Sequence, residues 1–132
     1  MQLDTFAKQL KFDLRMASDL PRLEEGGYQL DLEPDLKIAL IPIEKGFAFR
    51  ARVGKCTGGS AAEPFLELML LGNLLGQGTG GSLLALDEKG EQILLIEEVV
   101  EDLPYGELKG ILERFCNYAE EWKKRVEEAQ EG

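Results

Sequence analysis

Residues 65–87 read FLELMLLGNLLGQGTGGSLLALD. An apolar helix runs into a glycine hinge and then into an apolar strand. At 100° per residue, Phe65, Leu66, Leu68, Met69, Leu70, Leu71, Leu74 and Leu75 occupy nearly every direction of the helix, and a helix apolar on all sides is buried on all sides. One side can cover the chain's own sheet. The other needs a further layer, which a second copy of the chain supplies most simply. Four large apolar side chains left in water would forgo on the order of 6–12 kcal/mol. That is comparable with the whole stability of a small domain, about 5–15 kcal/mol. A homodimer is therefore expected. The alternative is a central helix covered by this chain's own helices, and 132 residues offer few such layers.

The rest of the chain supplies the layers around that helix. Residues 4–17 carry Phe6, Ala7, Leu10, Leu14 and Ala17 on one stripe with Leu3, as a core-facing amphipathic helix does. Asp4 or Thr5 can cap its start. Phe12 and Met16 lie off the stripe, one turn apart. Either they form a contact surface, or Leu20 and Leu23 fold back to cover them. Three strands follow, over Tyr28–Glu33, Lys37–Glu44 and Phe47–Val53, separated by turns. The second, KIALIPIE, is apolar on both faces, and its Pro42 points to an edge position or a bulge. Two more strands, Ser82–Asp87 and Gln92–Val99, flank the turn at Asp87–Gly90. A last helix opens at Leu103-Pro104, with Leu108, Ile111, Leu112, Phe115, Ala119, Trp122 and Val126 on one stripe; residues 127–132 are expected to fray. The order is α-β-β-β-α-β-β-α: an α+β domain spanning residues 1–132, with helices packed on a mostly antiparallel twisted sheet.

Composition limits the chemistry. The net charge is −10 and the pI near 4.5, which argues against nucleic acid and against an anionic membrane surface. Residues 87–102 hold seven acids against Lys89 alone, whereas residues 1–22 hold four bases against three acids. The acidic segment reads better as a solvated turn and strand edge than as a docking face. No histidine occurs, which removes the commonest general base and metal ligand. Cys56 and Cys116 stand far apart in no metal spacing and read as free thiols of a reducing cytosol. No targeting signal or membrane-length apolar run is legible.

Gly76-Gln77-Gly78-Thr79-Gly80-Gly81 matches G-x-G-x-x-G, but the glycines follow a helix instead of opening one. A phosphate there would meet the negative end of the helix dipole. A helix C-cap and a tight reversal account for them. Glu97-Glu98 and Glu101-Asp102 have no partner that would make them catalytic or metal-binding and read as surface acids. Arg50 and Arg52, on the outward face of the third strand, are expected to pair with the chain's own acids, such as Asp31 or Glu33, in preference to acids of a partner. No cofactor, metal or catalytic residue is expected.

The run Leu68–Asp87, with its leucines, its asparagine, its glycine-rich turn and a strand ending at an acid, resembles the class I type III secretion chaperones of the Tir-chaperone (CesT-like) family. The Gln92–Val99 strand, the amphipathic last helix, the small size and the acidity fit as well. The resemblance implies a homodimer of the bacterial cytoplasm, without catalysis or ATP. Such a dimer holds the N-terminal region of secreted effectors in extended form for delivery to the secretion apparatus, with the secretion ATPase as a further candidate partner. It implies a dimer interface at Leu68, Leu71, Leu74, Leu75, Leu84 and Leu86. It implies effector contacts at Phe12, Met16, Leu32, Ile38, Leu40, Ile41 and Ile43. A regulatory or adaptor module of the same fold, sequestering a regulator or a secretion component, is the alternative.

Overall fold

The computed structural model describes residues 1–32, 35–55 and 82–131. The central apolar helix, the glycine run, Cys56 and the interface candidates Leu68, Leu71, Leu74 and Leu75 lie outside the described residues. Helix α1 (Leu3–Asp13) leads into strands β1 (Tyr28–Leu32), β2 (Leu36–Ile43) and β3 (Gly46–Lys55). Strands β4 (Leu83–Leu86) and β5 (Gln92–Val99) and helix α2 (Tyr105–Glu131) follow. The strands form one antiparallel sheet in the order β1-β2-β3-β5-β4. Among the described residues, the first helix, the five strands and the last helix expected from periodicity are present, with ends shifted by a few residues. The helical backbone of α2 continues to Glu131, past the point where fraying is expected.

Both described helices cover one face of the sheet. That face carries Leu30, Ile38, Leu40, Phe49, Ala51, Ile93 and Leu95, each no more than 2% exposed. Phe6, Ala7 and Leu10 of α1 pack there with Leu108, Leu112, Phe115, Ala119, Trp122 and Val126 of α2. The stripe read from the α2 sequence is the buried stripe, because a 3.6-residue period against a flat apolar face leaves little choice. Phe6 is the hub: its ring lies 5.6 Å from Phe47, 5.7 Å from Tyr105 and 6.2 Å from Phe49. Where β3 meets α2, the register shifts between Arg52 and Gly54, and a Cβ on Gly54 would overlap the Val126 side chain. Glycine and the bulge together let the helix approach the strand.

Pro42 sits neither at an edge strand nor in a bulge. β2 is an interior strand, but its pairing with β1 ends at Tyr28↔Leu40, while Pro42 continues to pair with Phe47 of β3. Proline is tolerated because its position overhangs β1.

Helix α1 ends earlier than its apolar stripe, at Asp13. The reason lies in the backbone. Met16 N–H donates to the Lys11 carbonyl at 3.0 Å and Arg15 N–H to the Phe12 carbonyl at 3.2 Å. This pair of bonds is the Schellman closure, which requires a left-handed residue at Arg15, and its φ is 54°. Glycine is usual there; a side chain in that conformation costs roughly 1–2 kcal/mol.

Half-buried Cys116 lies on α2. Burial, then the charges of Glu120 and Glu113, push its thiol up to about 12. At pH 8 almost no thiolate exists, and the thiolate is the reactive form. Peptide-resolved mass spectrometry after iodoacetamide treatment should find Cys116 unmodified in the native protein and modified in denaturant. Rapid native labelling would contradict this packing.

Candidate functional site: the outward face of the first helix

Helix α1 is tied down at both ends. Near its start, Asp4 accepts a hydrogen bond from the Tyr28 hydroxyl at 2.6 Å, and Arg22 donates to the same oxygen at 3.2 Å. The Arg22 guanidinium also lies 5.1 Å from the centre of the Tyr28 ring. The Asp4 bond and burial raise the pKa of this phenol. Asp4 thus fastens the helix to β1 and does not cap it; Gln2 occupies the N-cap position without a side-chain bond. At the far end, Asp13 pairs with Lys109 at 2.5 Å and accepts from the Tyr105 hydroxyl at 2.8 Å, both on α2. The Lys109 bond first, and then the Tyr105 bond, hold the Asp13 carboxyl below its ordinary pKa. Lys11 pairs with Asp19 at 2.8 Å and secures the segment after the helix.

What this anchored helix turns outward is Phe12. Its side chain is 87% exposed, the most of any large apolar residue described. Leu20 does turn inward, at 4% exposure, but does not cover Phe12. Met16 is half-buried and packs against the core. Lys8, Lys11, Phe12, Arg15, Met16 and Asp19 line a shallow depression of about 610 Å³. Lys8 and Phe12, four apart, share one side of the helix, and Arg15, beyond its end, lines the same depression. Sequence reasoning singled out Phe12 and Met16 but passed over Lys8 and Arg15. The available signal was the positive balance of residues 1–22 in an otherwise acidic chain.

The remaining candidates do not join this patch. Ile38 and Leu40 are fully buried and face the helices, so they offer nothing to a partner, contrary to expectation. Alternation along β2 places Ile41 and Ile43 on the face opposite the described helices, where both are half-buried. Leu32 is half-buried at the end of β1, against the core. Of the two strand residues expected at a dimer interface, Leu84 is 3% exposed, belongs to the core and pairs with Leu95, which corrects its assignment to a surface. Leu86 is 38% exposed, and its neighbour Leu83, on the other face, is 54% exposed. Arg50 pairs with an acid of its own chain, Glu25, at 2.5 Å, and the bond lowers the Glu25 pKa.

Glu97 is not a surface acid. It is 10% exposed, accepts from the Ser82 hydroxyl at 2.9 Å and pairs with Arg114 at 3.1 Å. It links β5 to α2 and to the start of β4. Among the described residues no cluster could hold a metal ion, and no helix is long and apolar enough to cross a membrane. Every buried polar side-chain atom described there has a partner.

Among the described residues, an N-terminal and a C-terminal helix lie on one face of a five-stranded antiparallel sheet, an architecture that matches chaperone folds. Residues 3–123 match the family model for the Tir chaperone protein (CesT) family, and the chain belongs to that family. A Chlamydia pneumoniae protein, CPj0713/CpB0740, is 26% identical over 121 residues, covering 91% of this chain and 92% of that one. The fold is similar to that in the HopA1–SchA chaperone–effector complex, with a TM-score of 0.72 at 16% identity, covering 92% of both chains. The heterodimeric ExoU–SpcU complex of the Pseudomonas aeruginosa type III secretion system gives 0.67 at 19% identity, covering 97% of both. The Yersinia pestis chaperone SycH, solved with a fragment of YscM2, gives 0.63 at 22% identity, covering 89% of this chain and 97% of that one.

Proposed function

We propose that this protein is a dimeric cytoplasmic chaperone that binds the N-terminal region of one or more secreted effectors, keeping it extended, soluble and competent for secretion. It performs no catalysis and uses no cofactor. The observation that carries the reading is Phe12, held 87% exposed on a helix pinned at both ends. A large ring on a rigid support is an economical anchor for an extended ligand, since little entropy is lost on the chaperone's side. An extended segment can also add to a sheet edge. The edge strand β1 is bridged at Tyr28 by Arg22, and Gln29 N–H already donates to the Pro21 carbonyl at 2.8 Å, so any added strand would start beyond them, at Leu30–Leu32. The second copy is proposed to seat on Leu68, Leu71, Leu74 and Leu75 and on the exposed Leu86. Docking to the secretion ATPase is a further proposal of the same reading.

Co-expression with each secreted protein encoded nearby, followed by purification and light scattering, tests this. The expected result is a dimer near twice 14.7 kDa that gains an effector N-terminal segment. Phe12→Asp combined with Met16→Asp should leave the mass of the unliganded protein unchanged and reduce effector capture about tenfold or more, as expected for loss of an anchor worth about 1.4–2 kcal/mol. A dimer that retains a regulator but no secreted protein would favour the adaptor alternative. A monomer would refute the dimer, and unfolding of the double variant would mean that the two residues are structural.

A further inference from the structure

We propose that the outward face of α1 selects acidic apolar segments: the peptide it binds places a large side chain on Phe12 and carboxylates against Lys8 and Arg15. This deepens the chaperone reading and rests on it for the partner's being a polypeptide. Three observations carry it. The first is the local charge. The depression around Phe12 is lined by three cations, Lys8, Lys11 and Arg15, and one acid, Asp19, on a protein whose net charge is −10.

The second is which of these charges are already used. Lys11 is paired with Asp19, and nearby Asp13 is paired with Lys109. Lys8 acts on Asp19 only through space, as one of the lesser charges lowering that carboxyl. Lys8 and Arg15 make no ion pair or hydrogen bond of their side chains among the described residues. Two cations are thus left over on either side of an exposed ring. An acidic segment is repelled by most of this protein and attracted here, so it is steered to the ring; a basic segment is steered elsewhere.

The third is the backbone at Arg15. Its φ of 54° is the only positive value among the described non-glycine residues, in a closure where glycine would be unstrained. Stability alone favours glycine at this position. An arginine that contributes to a docking surface accounts for the exception.

The test uses purified full-length protein and three short fluorescein-labelled synthetic peptides. They share one alternating pattern of Leu and Phe and differ only in the intervening residues, which are Glu, Ser or Lys. Fluorescence anisotropy should rank binding Glu over Ser over Lys. Each carboxylate contact is expected to contribute about two- to fivefold at low salt, and the ranking should collapse by about 0.5 M salt. Lys8→Glu with Arg15→Glu should invert the order while circular dichroism and mass stay those of the parent. Arg15→Gly should raise the unfolding midpoint and yet weaken the Glu peptide about two- to fivefold. That pairing of effects would not arise if Arg15 served the fold alone. Equal binding of the three peptides, or binding of none, overturns the proposal. So does a change of oligomeric mass in the charge-reversed variant, which would make the face a contact between copies. If the parent captures a secreted protein but shows no charge ranking, this inference fails and the chaperone reading stands. If it shows the ranking but captures no secreted protein, the chaperone reading fails and the acidic-peptide site stands.

Discussion

Phe6→Ala is expected to lower the stability of the fold by about 3–5 kcal/mol, the range for truncating a fully buried aromatic residue. Phe6 is 0% exposed and touches the rings of Phe47, Phe49 and Tyr105, so one substitution removes the aromatic contacts of α1 with β3 and with Tyr105 of α2 together. Each lost aromatic pair adds about 0.5–1.5 kcal/mol to the loss of apolar burial. Against a total of about 5–15 kcal/mol, the variant should be marginal at room temperature. Urea unfolding reads this as a lower midpoint with an unchanged slope. Phe6→Leu keeps most of the volume and should fall between the two. Because Phe6 seats the helix that presents Phe12, ligand capture should fall with stability in both variants. A Phe6→Ala midpoint within experimental error of the parent would mean that α1 is not docked as described.

Gly27→Val is expected to cost about 3 kcal/mol or more, through backbone geometry and not through lost burial. Gly27 has φ of 91°, which a β-branched residue can hardly adopt. A Cβ at this position would also overlap the backbone carbonyl oxygen of Leu40, with the Ile41 Cα only 3.1 Å away. The obstruction is main chain of an interior strand, so it cannot swing aside as a side chain would. Leu23 N–H donates to the Gly27 carbonyl at 3.1 Å, so displacement here also disturbs the turn that leads into β1. Thermal unfolding of this variant beside Gly90→Ala separates causes. Gly90 also has positive φ, 70°, but its Cβ would meet nothing within 4 Å. Gly90→Ala should therefore show conformational strain alone, about 1–2 kcal/mol, and equal losses in the two variants would refute the clash.

How far the site was legible in the chain differs from residue to residue. Phe12 could be found because the helical period is long enough to separate an inward stripe from an outward residue. Arg15 could not, since nothing in the local sequence announces a left-handed arginine. That conformation follows from the two closing hydrogen bonds to Lys11 and Phe12. The anchors of α1 were also hidden. Asp13 meets Tyr105 across 92 positions of chain, and contacts at that separation are set by how layers stack. Leu84 and Ile38 were misread for a different reason. In the runs LLAL and KIALIPI nearly every position is apolar, so alternation carries no sign of which face is which.

Local order in the chain determined the types of the described elements, most of the core stripes of the two described helices, the acidity and the lack of histidine. Each depends on residues within a few positions of one another or on composition alone. Tertiary structure decided the face of each strand, through the pairing of Leu84 with Leu95 and of Ile38 with Ala51. It also decided which charges were consumed internally, leaving Lys8 and Arg15 beside an exposed ring. The physical reason is that period-2 patterning and charge counts are degenerate. Only strand register and the stacking of helices on one face of the sheet separate a buried leucine from a surface one, or a paired cation from one open to a partner.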